Sequence, residues 1–162
     1  MFSDKTIKAL KWIITLLNSK NIPYQISGGF AAKVYGSTRE LNDIDIEIPE
    51  DRFKDIMLEA KPYIVEEFQH HKNDKWDCMT MVLEYEGQII DLSGAYEAKV
   101  SNKERTEWIE IPADFSKVNK VEVAGMEINV AGPEDMIDYK QYLDGDHQLD
   151  DIEAVKKYVA KK

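Results

Sequence analysis

Residues 43–48 read Asp-Ile-Asp-Ile-Glu-Ile, with Ile44, Ile46 and Ile48 on one side and Asp43, Asp45 and Glu47 on the other. A two-residue period is the mark of a half-buried β-strand. Three isoleucines demand a core beneath them, and three acids cannot share it. Pro49 closes the strand, since proline lacks the N–H that a ladder needs.

Around this strand the rest of the order can be laid out. Ser3-Asp4 is a cap for a first helix, with Ile7, Leu10, Ile13, Ile14 and Leu17 recurring on one face. Asn21-Ile22-Pro23 ends it, and Tyr24 to Ile26 forms a short strand entering Ser27-Gly28-Gly29. Phe30 to Tyr35 makes a brief helix stopped by Gly36. Asp51 to Ala60 reads as a helix packing through Phe53, Ile56 and Met57, and Ile64 to Phe68 as a strand. His70 to Asp77 is polar and reads as loop. Thr80 to Tyr85, Glu86-Gly87 and Gln88 to Leu92 have the layout of a hairpin. Short strands follow at Trp108 to Ile111 and on either side of Ala124-Gly125, within Val121 to Val130. Pro133-Glu134-Asp135 opens a helix that runs to about Leu143. Asp144-Gly145-Asp146 breaks it, and Leu149 to Val159 is the last. The expected class is α+β, a mixed sheet covered by helices. The expected organisation is one domain over 1–162, with a core at about 20–130 and a helical segment at about 133–162.

Composition bounds the function. The 162 residues carry 21 basic and 31 acidic side chains, a net charge of −10, with 43% apolar residues. That fits a folded chain and disfavours a sequence-blind grip on nucleic acid, because like charges repel at long range. No apolar run approaches the ~20 residues of a membrane span. The first helix carries Lys8 and Lys11 within its apolar pattern and no cleavage site follows, so it reads as amphipathic and not as a signal peptide. The lone Cys78 excludes an internal disulfide framework and fits a cytoplasmic location.

The chemistry concentrates in Ser27 to Ile48. A strand that runs into adjacent glycines opening a helix can bend sharply and bring backbone N–H groups close to an anion. Asp43 and Asp45 share one strand face about 6–7 Å apart. Their mutual repulsion is relieved most readily by a divalent cation, and an all-oxygen set favours Mg²⁺ or Mn²⁺. Asp91, between Ile90 and Leu92, is the best further ligand, since an acid among isoleucines is costly unless it faces a cation or a polar cleft. Three aspartates from two strands can hold two metals about 3.5–4 Å apart, the geometry of in-line nucleotidyl displacement.

Gly28-Gly29, thirteen residues, Asp43-Ile44-Asp45-Ile46, and Asp91 in a later strand resemble the polymerase-β-like nucleotidyltransferase superfamily. The closer likeness is to its small members such as the lincosamide nucleotidyltransferases, and it extends through Ile128 to Val155. The resemblance implies transfer of a nucleoside monophosphate from an NTP to a hydroxyl, with release of pyrophosphate. It implies that Asp43 and Asp45 bind Mg²⁺, and that Asp91 completes the metal set and assists deprotonation of the acceptor. Gly28 and Gly29 would lie under the phosphates, Arg39 would neutralise the departing pyrophosphate, and Lys140 would reach the same phosphates. The acceptor stays open: a small molecule such as an antibiotic, a protein, or tRNA, the last disfavoured by charge. Small relatives often complete their pocket by pairing, so a homodimer is an expectation.

Other readings stand beside this one. The chain could be an antitoxin-like or defence-system module that holds nucleotide without turnover. A Mg²⁺ phosphohydrolase fits the order of glycines and aspartates poorly. Arg39 alone would suit a surface ion pair with Glu40. His70-His71 lacks a partner at zinc-ligand spacing. The acids around His147 lack the bidentate residue of a calcium loop and read as a solvated turn and helix start. Cys78 reads as inert packing, and Trp12 as a core-side residue of the first helix.

Overall fold

A computed structural model describes residues 1–162. The opening helix α1 (Asp4–Ser19) is capped by Ser3, whose hydroxyl accepts from the Thr6 N–H. It leads to β1 (Gln25–Ser27), which passes directly into α2 (Gly28–Val34). The alternating segment is β2 (Asp43–Ile48). Its isoleucines are fully buried and its acids half-buried, as the two-residue period requires. After α3 (Met57–Ala60) come β3 (Ile64–Lys72), β4 (Trp76–Tyr85) and β5 (Gln88–Gly94). Then follow β6 (Lys99–Ser101), β7 (Trp108–Glu110), β8 (Asn119–Val123) and β9 (Met126–Val130). The chain ends in α4 (Pro133–Lys140) and α5 (Asp146–Ala160).

The nine strands form one mixed sheet in the order β7-β6-β4-β5-β2-β1-β9-β8, with β3 paired to the other edge of β4. The central pair β2 and β5 is parallel, and its register sets Asp45 opposite Asp91. The core beneath joins Leu10, Ile13, Ile14 and Leu17 of α1 to Ile44, Ile46 and Ile48 of β2 and to Ile90 and Leu92 of β5. Each such side chain contributes about 1.5–3 kcal/mol by leaving water. Thr6 of α1 donates to Gln88 Oε1 at 2.6 Å, and Gln88 Nε2 donates to the carbonyl of Asn42. Helix α1 is thereby tied to the start of both acid-bearing strands.

Several expectations require correction. Residues 50–56 form a 3₁₀ helix and only 57–60 an α-helix, in place of one helix from Asp51 to Ala60. The buried pair Phe53 and Ile56 is three residues apart, the spacing that one face of a 3₁₀ helix repeats. Residues 70–77 are mostly strand, not loop. Strand β3 is an edge exposed on both faces beyond Ile64, so polar side chains cost it nothing there. The turn itself is short, made by Asn73 Oδ1 accepting from the Lys75 and Trp76 N–H groups. Strand β6, with three residues, has no alternation to detect. Helix α4 stops at Lys140, and α5 begins at Asp146 just after Gly145, whose φ is +102°.

Candidate active site

The acidic face of β2 forms one wall of a cavity of about 560 Å³. Asp43 and Asp45 project from β2 and Asp91 from β5, and one carboxylate oxygen from each lies within 4.8 Å of the others. The spacing follows from the sheet: residues i and i+2 share a face, and the parallel register adds the third acid from the next strand.

Burial and mutual repulsion make the charged forms costly. Burial pushes Asp45 well above the usual carboxylate range, and the charges of Asp43 and Asp91 add to the effect. Asp91 is pushed up to about 6 by burial, then by Asp43 and Glu66. Asp43 is raised by burial, against the opposing pull of Arg39. An all-oxygen donor set under this strain would suit a hard divalent cation, held by Asp43, Asp45 and Asp91.

The glycine elbow lies against these acids. Gly28 has φ +61°, and a side chain there would collide with the Asp45 carboxylate. A β-carbon on Gly29 would crowd Arg39 Nη2 at 3.3 Å. The two glycines are therefore required by what packs over them as much as by the bend itself. The Gly28 N–H donates to the Tyr139 hydroxyl at 2.7 Å, which fixes α4 against the start of α2.

Arg39 comes from the loop between α2 and β2, and Lys140 from the end of α4. Asp151 of α5 gathers both. Arg39 Nη2 and Nε reach Asp151 Oδ2 and Oδ1 at 2.6 and 3.2 Å, and Lys140 Nζ reaches Oδ2 at 3.0 Å. Ser37 donates to Oδ1 at 2.9 Å, and Lys140 also donates to Gln148 Oε1. Arg39 thus pairs with Asp151 and not with Glu40. The Asp151 carboxylate has no solvent exposure. Burial alone would raise it, but Arg39, Lys140 and Ser37 together hold it below the ordinary range.

All seven residues singled out in the sequence line this one cavity: Gly28, Gly29, Arg39, Asp43, Asp45, Asp91 and Lys140. The role of Asp151 escapes sequence reasoning, which reads the acids around His147 as a solvated turn and helix start. A signal exists: Asp151 and Val155 stand four apart and are the two buried positions of α5. Glu47, Gln25 and Tyr139 also line the cavity. Gln25 Nε2 donates to Glu47 at 2.5 Å, which lets this third acid of β2 be accommodated. Cys78 lies buried on the same wall, its thiol pushed up to about 11 by burial and then by the surrounding acids. Trp12 packs at the core margin, stacked on Tyr85. No helix is long and apolar enough to cross a membrane.

A family model for the aminoglycoside-2''-adenylyltransferases matches residues 9–155, a span that includes every residue of the site. No match emerges among curated proteins. Among solved structures, the chain is similar to a candidate nucleotidyltransferase from Thermotoga maritima, with TM-score 0.75 and 19% identity over 100% of this chain and 97% of that one. It is similar to ANT(2'')-Ia in complex with adenylyl-2''-tobramycin, with TM-score 0.64 and 16% identity over 95% of this chain and 89% of that one. It is similar also to the lincosamide antibiotic adenylyltransferase LnuA, lincomycin-bound, with TM-score 0.62 and 14% identity over 93% and 96%. At these identities the neighbours establish the nucleotidyltransferase fold. The family match, over nearly the whole chain, establishes more: the protein belongs to the aminoglycoside-2''-adenylyltransferase family of nucleotidyltransferases.

Proposed function

We propose that the protein transfers an adenylyl group from ATP to a hydroxyl of a small, positively charged acceptor, releasing pyrophosphate. The observation that carries this reading is the convergence of three carboxylate oxygens within 4.8 Å, on the wall of a cavity that also holds a glycine elbow and two cations. Asp43, Asp45 and Asp91 would hold Mg²⁺. When bound, the ion supplies charge neutralisation and orientation of the triphosphate. Arg39 and Lys140 hold the β- and γ-phosphates and stabilise negative charge as it moves onto the leaving pyrophosphate. The acceptor oxygen forms a bond to the α-phosphorus as the bond from that phosphorus to the bridging oxygen breaks. Asp91, the acid supplied by the neighbouring strand, takes the hydroxyl proton.

The charge of the acceptor is read from the remaining lining. Besides the three aspartates, Glu40, Glu47, Glu110, Asp135 and Asp138 line the cavity, against Arg39 and Lys140 as its only lysine or arginine residues. Two cations already held by Asp151 leave a surplus of negative charge, which attracts a compound bearing ammonium groups and repels a nucleic-acid backbone. Membership of a transferase family, with all three acids in place, favours turnover over a module that only holds nucleotide.

The test is a screen with α-labelled ATP, Mg²⁺ and a panel of aminoglycosides, lincosamides, protein and tRNA. Label should pass to a cationic small molecule with equimolar pyrophosphate, and Asp45→Asn should stop it. Nucleotide binding with no label transferred to any acceptor would defeat the proposal.

A further inference from the structure

The buried carboxylate of Asp151 bonds to no residue of its own helix. It lies on α5, yet its partners come from three other places: Ser37 beyond α2, Arg39 before β2, and Lys140 at the end of α4. Two of those partners are cations that line the reaction cavity. A carboxylate without solvent exposure is costly to hold, and a structure keeps one only where charged hydrogen bonds surround it.

The geometry points to Asp151 as a positioning residue that fixes Arg39 and Lys140 as a paired phosphate clamp beside the glycine elbow. This rests on the nucleotidyl-transfer reading and adds a residue to it. Arg39 offers Nε and Nη2 to the carboxylate, a two-point contact that fixes the plane of the guanidinium and leaves the Nη1 edge for a ligand. The held guanidinium lies over Gly29, where a side chain would crowd Nη2. Lys140 Nζ, with one hydrogen bond to Asp151 and one to Gln148, keeps its third N–H. Without the carboxylate, two cations would repel each other and a flexible arginine would leave the elbow. Asp151 touches no reacting atom. It works by orienting the groups that do, so that little reorganisation is needed when triphosphate arrives.

The alternative is that Asp151 occupies Arg39 and Lys140 as an internal counter-ion that phosphate must displace. Two measurements separate these roles, with α,β-methylene-ATP and Mg²⁺ as the probe on the full chain. In calorimetry, Asp151→Asn should weaken binding on the order of 10- to 100-fold, as loss of an outer partner does to a ligand set. Asp151→Glu should recover part of it. In an Arg39→Gln/Lys140→Gln background, Asp151→Asn should have no further effect. Tighter binding by Asp151→Asn, or an undiminished effect without the two cations, overturns the proposal.

Should Asp151→Asn not fold, the unsubstituted protein gives the answer by nuclear magnetic resonance. The Arg39 Nε–H signal, assigned by its loss in Arg39→Lys, should be protected from solvent exchange and stay protected when the probe binds. Loss of protection on binding shows displacement and sinks the positioning role. If the unsubstituted protein binds no probe at all, the transfer reading itself fails and takes this inference with it. If it binds and Asp151→Asn binds equally, only the inference fails.

Discussion

The carboxylate of Asp45 occupies the space that a side chain on residue 28 would need. The glycine elbow and the strand carrying the acids are therefore one packed unit. Residue 28 also has φ +61°, in the left-handed region that L side chains enter only with strain.

Gly28→Ala should accordingly fail twice. The backbone cost alone is about 1–2 kcal/mol, and displacement of Asp45 adds to it. Gly36→Ala is the control: it has φ +114° but nothing within 4 Å of the added carbon. Urea unfolding should show both variants weakened and Gly28→Ala the more so, while only Gly28→Ala loses transferase activity.

Asp91 makes the metal-free protein less stable as pH rises. Its folded pKa, about 6, lies above the unfolded value of about 3.9. Between these values the folded state retains a proton that the unfolded chain has lost. Stability from this group therefore falls as pH rises through the window, and stays lost above it. Asp91→Asn removes that dependence. In EDTA, its advantage over the parent should grow from near zero at pH 4 to on the order of 2 kcal/mol at pH 7. A constant difference in denaturant unfolding across that range would contradict the assignment.

Mg²⁺ should stabilise the protein through the same carboxylates. Saturation at a hundred times the dissociation constant adds about 2.7 kcal/mol. A thermal melt should shift upward with Mg²⁺ or Mn²⁺ in the parent and not in Asp45→Asn. Equal shifts in both proteins would place the ion elsewhere.

Cys78 reports on the charge of this wall. With its pKa pushed up from 9.0 to about 11 by burial and then by Asp91, Asp77, Glu47 and Glu50, it holds roughly 100-fold less thiolate at neutral pH than an ordinary thiol. Iodoacetamide should react correspondingly slowly. Neutralising Asp91 with Mg²⁺ should speed the reaction, and the Asp45→Asn variant should lose that acceleration. Mass spectrometry of the single labelled cysteine measures both.

Much of the site is legible in the order of residues. The two-residue period of β2 fixes which side chains share a face, because pleating is a local property of a strand. The adjacent glycines ahead of it mark the elbow for the same local reason. The amphipathic spacing of α1 names its core residues. The start of edge strand β3 is legible at Ile64 to Phe68, but its continuation to Lys72 escapes recognition because exposure there removes the hydrophobic signal on which strand recognition depends. The 3₁₀ segment after Pro49 resembles an α-helix because three-residue spacing serves both.

Local pattern alone determined that Asp43 and Asp45 stand together, that isoleucines lie beneath them, and that glycines precede them. Tertiary structure decided that Asp91 faces Asp45, since the register of β2 on β5 comes from packing distant side chains under both strands. It decided also that Asp151, 112 residues beyond Arg39, is the carboxylate that holds it. Period is written in neighbouring residues, whereas charge pairing across the chain depends on how helices dock, and docking is settled by the core as a whole.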